Sequence, residues 1–286
     1  MKHCSTFLAR CLSLGLAGLA ALSVPAGAES GTQDVAALDQ QIDEGLVRLD
    51  VLPGWRLADG RHVAGLRLRL EPGWKTYWRA PGDAGIPPDF DWSGSRNIAA
   101  VEVNWPRPKV FDQNGMTSIG YAQEVVLPVV ATPRGAGPLQ LRGEVDIGVC
   151  KDICVPETLQ FDAALPVGGS QPDPRIAAAL ADRPFTAAEA QVQSATCRFR
   201  PERDGLHLSA ELRMPPAGGN EYAVIETGNP LIWVAEAETR REGGTLRIET
   251  RMQHVEGRSM ALDRDALRIT VLGSAHAVDI RGCAAP

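Results

Sequence analysis

The chain has 286 residues, a formal net charge of −6, 44% hydrophobic residues and 22% charged residues. This composition is typical of a globular protein and excludes the collagen-like and broadly disordered classes. The acidic balance argues against nucleic acid as a partner, because surfaces that bind nucleic acid need an excess of Lys and Arg. At about 100 to 200 residues per domain, the length suggests two domains.

The N-terminus has the pattern of a secretory signal. Lys2 and Arg10 precede an apolar run that ends at a small-residue cleavage site, so residues 1–28 are predicted to be a signal peptide. Residues 29–44 are polar and show no apolar period, which predicts a flexible lead. No later segment approaches the roughly 20 apolar residues of a membrane helix. We therefore expect a soluble, exported protein that does not span the membrane.

The next part of the chain has the pattern of short antiparallel strands. Apolar and charged residues alternate from Leu66 to Leu70, as in a strand with one buried face. Pro-Gly or Asp-Gly pairs separate several such runs, at positions 53–54, 59–60, 72–73 and 81–82. No long helical period interrupts them, so residues 45–167 are predicted to form a β-sandwich domain.

A helix signal marks the end of this domain. Asp173 is typical of an N-cap, and Pro174 follows it at the first helical position. The sequence therefore predicts a short helix in a linker over residues 168–185. Alternation resumes from Leu206 to Leu212 and in two later segments, so we expect residues 186–286 to form a second β-sandwich domain.

Export changes how the cysteines are interpreted. The four that follow the predicted signal peptide are Cys150, Cys154, Cys197 and Cys283. In an oxidising compartment they are expected to form two disulfides, and local geometry favours pairing Cys150 with Cys154 and Cys197 with Cys283. Loop-closure entropy predicts about 2 kcal/mol for the short ring and about 4.6 kcal/mol for the long one. The long bridge therefore suits stabilisation, and the short one suits chemistry.

The short ring is predicted to join two strands of a hairpin. The residues before Cys150 alternate so that it lies on the polar face of its strand, and Cys154 has the same parity after a loop of three residues. The two cysteines would then face each other with Cβ atoms about 4.5 to 5.5 Å apart, within reach of a disulfide. A small, solvent-facing ring of this kind is easier to reduce than a buried disulfide, as thiol–disulfide exchange requires. Lys151 would favour a thiolate and Asp152 would oppose it.

Four segments together resemble a known family. They are Gly-Trp-Lys-Thr-Tyr-Trp-Arg at 73–79, Trp-Ser-Gly at 92–94, the stretch from Gly120 to Val129, and Val-Cys-Lys-Asp-Ile-Cys-Val-Pro at 149–156. This pattern resembles the periplasmic N-terminal domain of DsbD-type thiol:disulfide interchange proteins. It is most similar to the ScsB-like branch, associated with suppression of copper sensitivity, in which a second β domain follows the first. The resemblance covers roughly residues 45–284.

The resemblance implies an all-β periplasmic protein with two immunoglobulin-like sandwich domains. Cys150 and Cys154 would form the redox pair, with no metal or organic cofactor. Their spacing is shorter than in the best-known DsbD domains. Because no membrane conduit or thioredoxin-like domain is found in the sequence, the expected partners are a membrane-embedded electron donor or a thioredoxin-like protein, and oxidised periplasmic proteins as acceptors.

In this family a cap loop covers the cysteines. The matching stretch runs from Val110 to Tyr121, although an ordinary polar connection between strands is the alternative. Tyr77 matches an aromatic position beside the family's active site, with Lys75 on the same face, although a core tyrosine is also a reasonable interpretation. The candidate cap residues and neighbours of the site are Tyr77, Phe111, Asp112, Met116, Tyr121, Lys151 and Asp152.

Two other functions fit the same sequence. Cysteines separated by three residues can hold Cu(I), with Met116 or a histidine completing the site. Alternatively, the chain is an immunoglobulin-like interaction module whose disulfides are inert. A reduction potential distinguishes exchange from the inert module, and the metal stoichiometry of the reduced protein distinguishes exchange from copper binding.

Overall fold

The computed structural model describes residues 45–83, 85–113, 115–168 and 171–286. The predicted signal peptide and flexible lead, residues 1–44, lie outside these ranges. The described residues form β-strands and a single helix, which confirms the predicted all-β class. This helix has eight residues, and no described helix is long and apolar enough to cross a membrane.

Ten strands precede the helix and form two sheets. The strands are β1 Val47–Arg56, β2 His62–Leu70, β3 Lys75–Tyr77, β4 Asp89–Asp91, β5 Ile98–Val103, β6 Lys109–Gln113, β7 Met116–Ala122, β8 Glu124–Pro133, β9 Leu139–Cys150 and β10 Cys154–Leu165. One sheet has the order β1-β2-β8-β5, and the other has the order β10-β9-β3-β7-β6, with β4 also paired to β9.

Apolar residues from both sheets fill the space between them. Leu66, Leu127 and Val149 are buried there because alternate residues of a strand point to the same face. Trp78 follows β3 directly and is fully buried in the same core. This core fixes the position of β9 and β3, the two strands on which the cysteine site is built.

The helix, α1, runs from Pro174 to Ala181 and packs on the outer face of the first sheet. The Asp173 side chain caps it by accepting a hydrogen bond from the Arg175 backbone N–H, so the helix begins where the sequence predicts. Ile176 is buried against a cluster on this sheet that includes Val63 and Val126. The helix therefore contributes to the core as well as connecting the two parts of the chain.

Nine strands follow the helix and form a second pair of sheets. The strands are β11 Phe185–Thr186, β12 Ser194–Glu202, β13 Gly205–Arg213, β14 Tyr222–Glu226, β15 Ile232–Val234, β16 Glu238–Glu242, β17 Thr245–His254, β18 Arg268–Leu272 and β19 Ala277–Arg281. The orders of the two sheets are β11-β19-β18-β14 and β12-β13-β17-β15, with β16 also paired to β17. The buried disulfide between Cys197 and Cys283 ties β12 to the segment after β19.

The two pairs of sheets are in contact. The described residues belong to one compact unit, and Val224, Leu272 and Ala277 of the second pair belong to the same buried cluster as the first core. The names first sandwich and second sandwich are used below for the sheets before and after α1. That each is an independently folding domain, with the boundaries given above, remains a prediction.

Candidate functional site

The two cysteines close the hairpin formed by β9 and β10. These strands pair along their whole length, with Cys150 opposite Cys154 and Val149 opposite Val155. The predicted register is therefore confirmed. The cysteines form a disulfide, and their Cα atoms are 4.1 Å apart. A hydrogen bond of 3.0 Å from the Lys151 N–H to the Ile153 carbonyl closes the turn between them.

Cys150 and Cys154 differ in their exposure to solvent. Cys154 is exposed, whereas Cys150 is only 2% exposed, which corrects the expectation that both face solvent. The difference arises because β9 is an interior strand with β3 on its other side, where Lys75 lies opposite Cys150. Cys154 belongs to β10, the last strand in the hydrogen-bonded order of this sheet. A partner can therefore approach the pair from the Cys154 side.

Tyr77 lies over the disulfide. Its hydroxyl donates a hydrogen bond to Cys150 Sγ at 2.9 Å and lies 3.4 Å from Cys154 Sγ. The side chain is 3% exposed, and burial raises the pKa of its hydroxyl, so the hydroxyl keeps its proton at neutral pH. Tyr77 is therefore a hydrogen-bond donor fixed beside the sulfur atoms, in the neighbourhood that the sequence predicts.

Gly148 provides the space for Tyr77. It lies two residues before Cys150 on the same face of β9. A Cβ atom at this position would lie 3.1 Å from Tyr77 Cε2 and 3.0 Å from Ile86 Cβ. The sequence pattern does not indicate Gly148 or Ile86 as neighbours of the site, because only the folded sheet brings the chain near residue 86 onto β9. The available signal was a glycine on the cysteine face of a strand, which often marks a close approach.

Lys75 places a cation on the same face of the sheet. Its Nζ donates a hydrogen bond to Ser118 Oγ at 2.9 Å and lies 5.3 Å from the centre of the Phe111 ring. Burial lowers the pKa of the Lys75 ammonium group. A lysine directly opposite Cys150 favours the thiolate form of that residue once the disulfide is reduced.

The stretch predicted as a cap is the hairpin of β6 and β7, and β7 pairs with β3. Phe111 and Asp112 line a cavity of about 450 Å³ together with Cys150, Lys151 and Asp152. These predicted neighbours are thus brought together, with the cavity between the hairpin and the cysteine loop. Met116 is 57% exposed near the turn of the hairpin. The name cap hairpin is used below for β6 and β7.

Tyr121 is not a neighbour of the cysteines, which corrects the sequence-based expectation. It is 6% exposed in the core of the first sandwich, and its hydroxyl donates to the Pro106 carbonyl at 2.8 Å. Tyr121 pairs with Thr76, whereas Gly120 pairs with Tyr77. Because adjacent strand residues point to opposite faces, Tyr121 and Tyr77 lie on different sides of the sheet. Burial raises the pKa of Tyr121 well above its ordinary value.

The described residues contain no group of three or more His, Cys, Asp or Glu side chains arranged to hold a metal ion. His62, for example, is buried in the first sheet with its Nε2 2.7 Å from the Pro53 carbonyl. The chemistry that the site offers is that of two sulfur atoms with a hydroxyl donor and a lysine beside them.

Comparison with known proteins gives one family match. The family described as "Thiol:disulfide interchange protein DsbD, N-terminal" matches residues 32–166. The match begins inside the segment predicted to be a flexible lead, and it includes both cysteines of the hairpin. No curated protein sequence matches the chain.

Solved structures support the fold. The N-terminal periplasmic domain of ScsB from Proteus mirabilis is similar, with a TM-score of 0.63 and 20% identity over 84% of this chain and 92% of that chain. The reduced N-terminal domain of Neisseria meningitidis DsbD is 17% identical over 44% of this chain and 87% of that chain, but its TM-score of 0.25 is too low to compare folds. The all-β, immunoglobulin-like fold is thus shared with the ScsB domain. The family match over residues 32–166 and the structural similarity to the ScsB domain together support a DsbD/ScsB-like N-terminal domain in this part of the chain.

Proposed function

We propose that the chain is a periplasmic thiol–disulfide interchange protein that relays electrons through Cys150 and Cys154. The observation that carries this proposal is the unequal exposure of a disulfide whose buried sulfur accepts a hydrogen bond from Tyr77. One sulfur is open to attack, and the other lies where a departing thiolate is stabilised. An inert structural disulfide needs neither property.

Reduction of the pair begins at Cys154. A thiolate of the electron donor attacks Cys154 Sγ, which forms a mixed disulfide and breaks the bond to Cys150. The electron pair of that bond leaves with Cys150 Sγ as a thiolate. The Tyr77 hydroxyl, 2.9 Å away, donates a hydrogen bond to the new anion, and hydrogen bonds to charged acceptors are about twice as strong as neutral ones. The cation of Lys75 adds electrostatic stabilisation.

A second thiolate of the donor completes the transfer. It attacks the donor's own sulfur in the mixed disulfide, so that the donor becomes oxidised and Cys154 leaves as a thiolate. Two electrons have then moved from the donor to the Cys150/Cys154 pair. Delivery to an oxidised client follows the same steps in reverse, with Cys154 attacking the client disulfide and Cys150 releasing the client in its reduced form.

The partners that suit this chemistry are other thiol proteins. We propose a membrane-embedded donor or a thioredoxin-like protein as the source of electrons, and oxidised periplasmic proteins as acceptors. Ile153, in the loop between the cysteines, is a large apolar side chain that is 67% exposed. It gives a docking partner an apolar contact directly beside Cys154.

The first experiment is to equilibrate the protein with glutathione or dithiothreitol and to count alkylated cysteines by mass spectrometry. We expect a reduction potential for Cys150/Cys154 of about −120 to −270 mV, the range of exchange catalysts. The buried Cys197–Cys283 disulfide serves as an internal control and should remain oxidised under the same conditions. A potential below about −300 mV, with slow exchange, would contradict the proposal.

A trapping experiment tests the order of attack. With Cys150→Ser, the exposed Cys154 should accumulate as a mixed disulfide with glutathione, because the resolving thiol is gone. With Cys154→Ser, the buried Cys150 should form this adduct much more slowly. Equal rates in the two variants would show that the difference in exposure does not select the attacked sulfur.

Metal analysis of the reduced wild-type protein, loaded with Cu(I), tests the copper-binding alternative.

A further inference from the structure

We infer that the second sandwich positions the cysteine site, through Glu226 and Glu236. Glu226 acts on the strand that carries Tyr77, and Glu236 acts on the cap hairpin. This inference rests on the proposed exchange function and gives the second sandwich a part in it. Both glutamates act through other residues, so they are positioning residues rather than catalytic ones.

Glu226 forms a paired ionic contact with Arg79 of the first sandwich. Arg79 Nε donates to Oε1 at 3.1 Å, and Nη2 donates to Oε2 at 2.9 Å. Arg79 Nη2 also donates to Thr270 Oγ1 on β18, at 3.2 Å. The side chains of Arg79 and Glu226 are only 13% and 23% exposed. Because this bidentate contact is largely shielded from solvent, it fixes the orientation of the guanidinium and carboxylate groups as well as the distance between them.

The contact reaches Tyr77 through the adjacent residues of the chain. Arg79 lies two residues after Tyr77, and its guanidinium carbon is 3.8 Å from the centre of the Trp78 ring. Trp78 is fully buried, and its backbone N–H donates to the Ile119 carbonyl at 2.9 Å. Glu226, Arg79 and Trp78 therefore hold the backbone at the end of β3, and the orientation of Tyr77 depends on that backbone.

Glu236 contacts the cap hairpin directly. The Thr117 hydroxyl donates to Glu236 Oε1 at 3.1 Å. Thr117 lies on β7 opposite Asp112, which is one of the cap-hairpin residues that line the cavity beside Cys150. The second sandwich thus contacts the cap hairpin as well as the segment that directly follows β3.

Small displacements at these contacts change the chemistry of the site, because hydrogen bonds weaken steeply with distance and angle. If β3 shifts, the Tyr77 hydroxyl no longer meets Cys150 Sγ at the correct distance. The reduced pair then loses stabilisation, while the disulfide, a weak acceptor, loses less. Loss of Glu226 should therefore make the pair harder to reduce. Loss of Glu236 should leave the equilibrium between the disulfide and the reduced pair nearly unchanged, but it should make the reduced cysteines more exposed.

The test compares Glu226→Ala, Glu226→Gln and Glu236→Ala with wild type in the full chain. Glu221→Ala is the matched control, since Glu221 makes an even closer bidentate contact with Arg241 inside the second sandwich. We expect Glu226→Ala to shift the glutathione equilibrium three- to tenfold toward the disulfide, and tenfold corresponds to about 30 mV. Glu226→Gln keeps the shape of the side chain and should recover part of the shift. Glu236→Ala should raise the alkylation rate of the reduced pair at least threefold.

The outcomes separate this inference from the function on which it rests. If wild type exchanges with glutathione but both Glu226 variants match wild type and Glu221→Ala, the inference is overturned and the proposed function stands. An equal shift in Glu221→Ala also overturns it, because the effect would then be general destabilisation. If wild type itself does not exchange, the proposed function fails. Should Glu226→Ala not fold, the equilibrium of Glu226→Gln decides.

Discussion

The hydroxyl of Tyr77 and the sulfur of Cys150 form the central contact of the site. The tyrosine holds its proton because burial raises its pKa, and the sulfur is shielded from water by the same side chain. In the disulfide form this hydrogen bond is weak, since a bonded sulfur is a poor acceptor. The hydrogen bond strengthens when Cys150 becomes a thiolate, so the contact between Tyr77 and Cys150 favours the reduced form of the Cys150/Cys154 pair.

Tyr77→Phe removes this hydrogen bond and leaves the ring in place. We expect the rate of exchange with glutathione to fall at least tenfold, because a hydrogen bond to a charged group contributes about 1.5 to 3 kcal/mol. The alkylation of reduced Cys150 should also require a higher pH. Stopped-flow kinetics and the pH dependence of alkylation measure the two effects.

Tyr121→Phe is the matched control for this variant. Tyr121 also has a buried hydroxyl with one hydrogen-bond acceptor, the Pro106 carbonyl, but it lies on the opposite face of the sheet. Its loss should lower the free energy of unfolding by about 1 kcal/mol and leave exchange unchanged. If both variants slowed exchange equally, the assignment of a specific role to Tyr77 would be wrong.

At the scale of elements, the local sequence predicts the cysteine hairpin but not the strand that pairs beside it. The alternation of residues in β9 and β10 is local, so it predicts the register and the Cys150–Cys154 pairing. The pairing of β9 with β3 joins residues more than seventy positions apart, and no local pattern contains it. For this reason the sequence places Cys150 on a polar face, although β3 and Tyr77 bury it.

Gly148→Ala tests how closely these elements pack. The added Cβ would lie 3.1 Å from Tyr77 Cε2 and 3.0 Å from Ile86 Cβ, which is closer than van der Waals contact, so one of these side chains must move. We expect a loss of about 1 to 3 kcal/mol in the free energy of unfolding, as for other overpacked positions, and faster alkylation of reduced Cys150. Gly244→Ala, where an added Cβ meets nothing within 4 Å, is the control and should change neither. Unaltered alkylation in Gly148→Ala would show that Tyr77 does not shield the sulfur.

At the scale of the whole molecule, the two sandwiches share buried residues and an ionic contact. Arg79 and Glu226 lie largely out of water, so removing one partner leaves the other poorly solvated. Val224 and Leu272 of the second sandwich add apolar area to the first core. Stability and the geometry of the cysteine site therefore depend on the same interface.

The stability of the molecule should fall in mild acid because of His62. Burial lowers the pKa of His62 below 6.5, and the residue is 1% exposed. As the pH falls below 6.5, the unfolded chain takes up a proton at this residue while the folded chain resists it. The free energy of unfolding is thus expected to decrease through this range until the folded pKa is reached. Urea titrations between pH 7.5 and 5 measure the slope.

His62→Gln is the control for this effect. Glutamine does not titrate, so the variant should lose stability less steeply between pH 7 and pH 5, whatever its stability at neutral pH. The same slope in both proteins would assign the acid sensitivity to other groups.

Local periodicity, capping and motifs are enough to predict the strand pattern, the start of α1, the Cys150–Cys154 register and the general neighbourhood of Tyr77. Only the folded chain shows that Cys150 is buried, that Tyr121 faces the core, that Gly148 makes room for Tyr77, and that Glu226 reaches Arg79. These features depend on pairings between distant parts of the chain. A local pattern specifies which face of a strand a residue takes, but what covers that face is decided only when the sheets assemble.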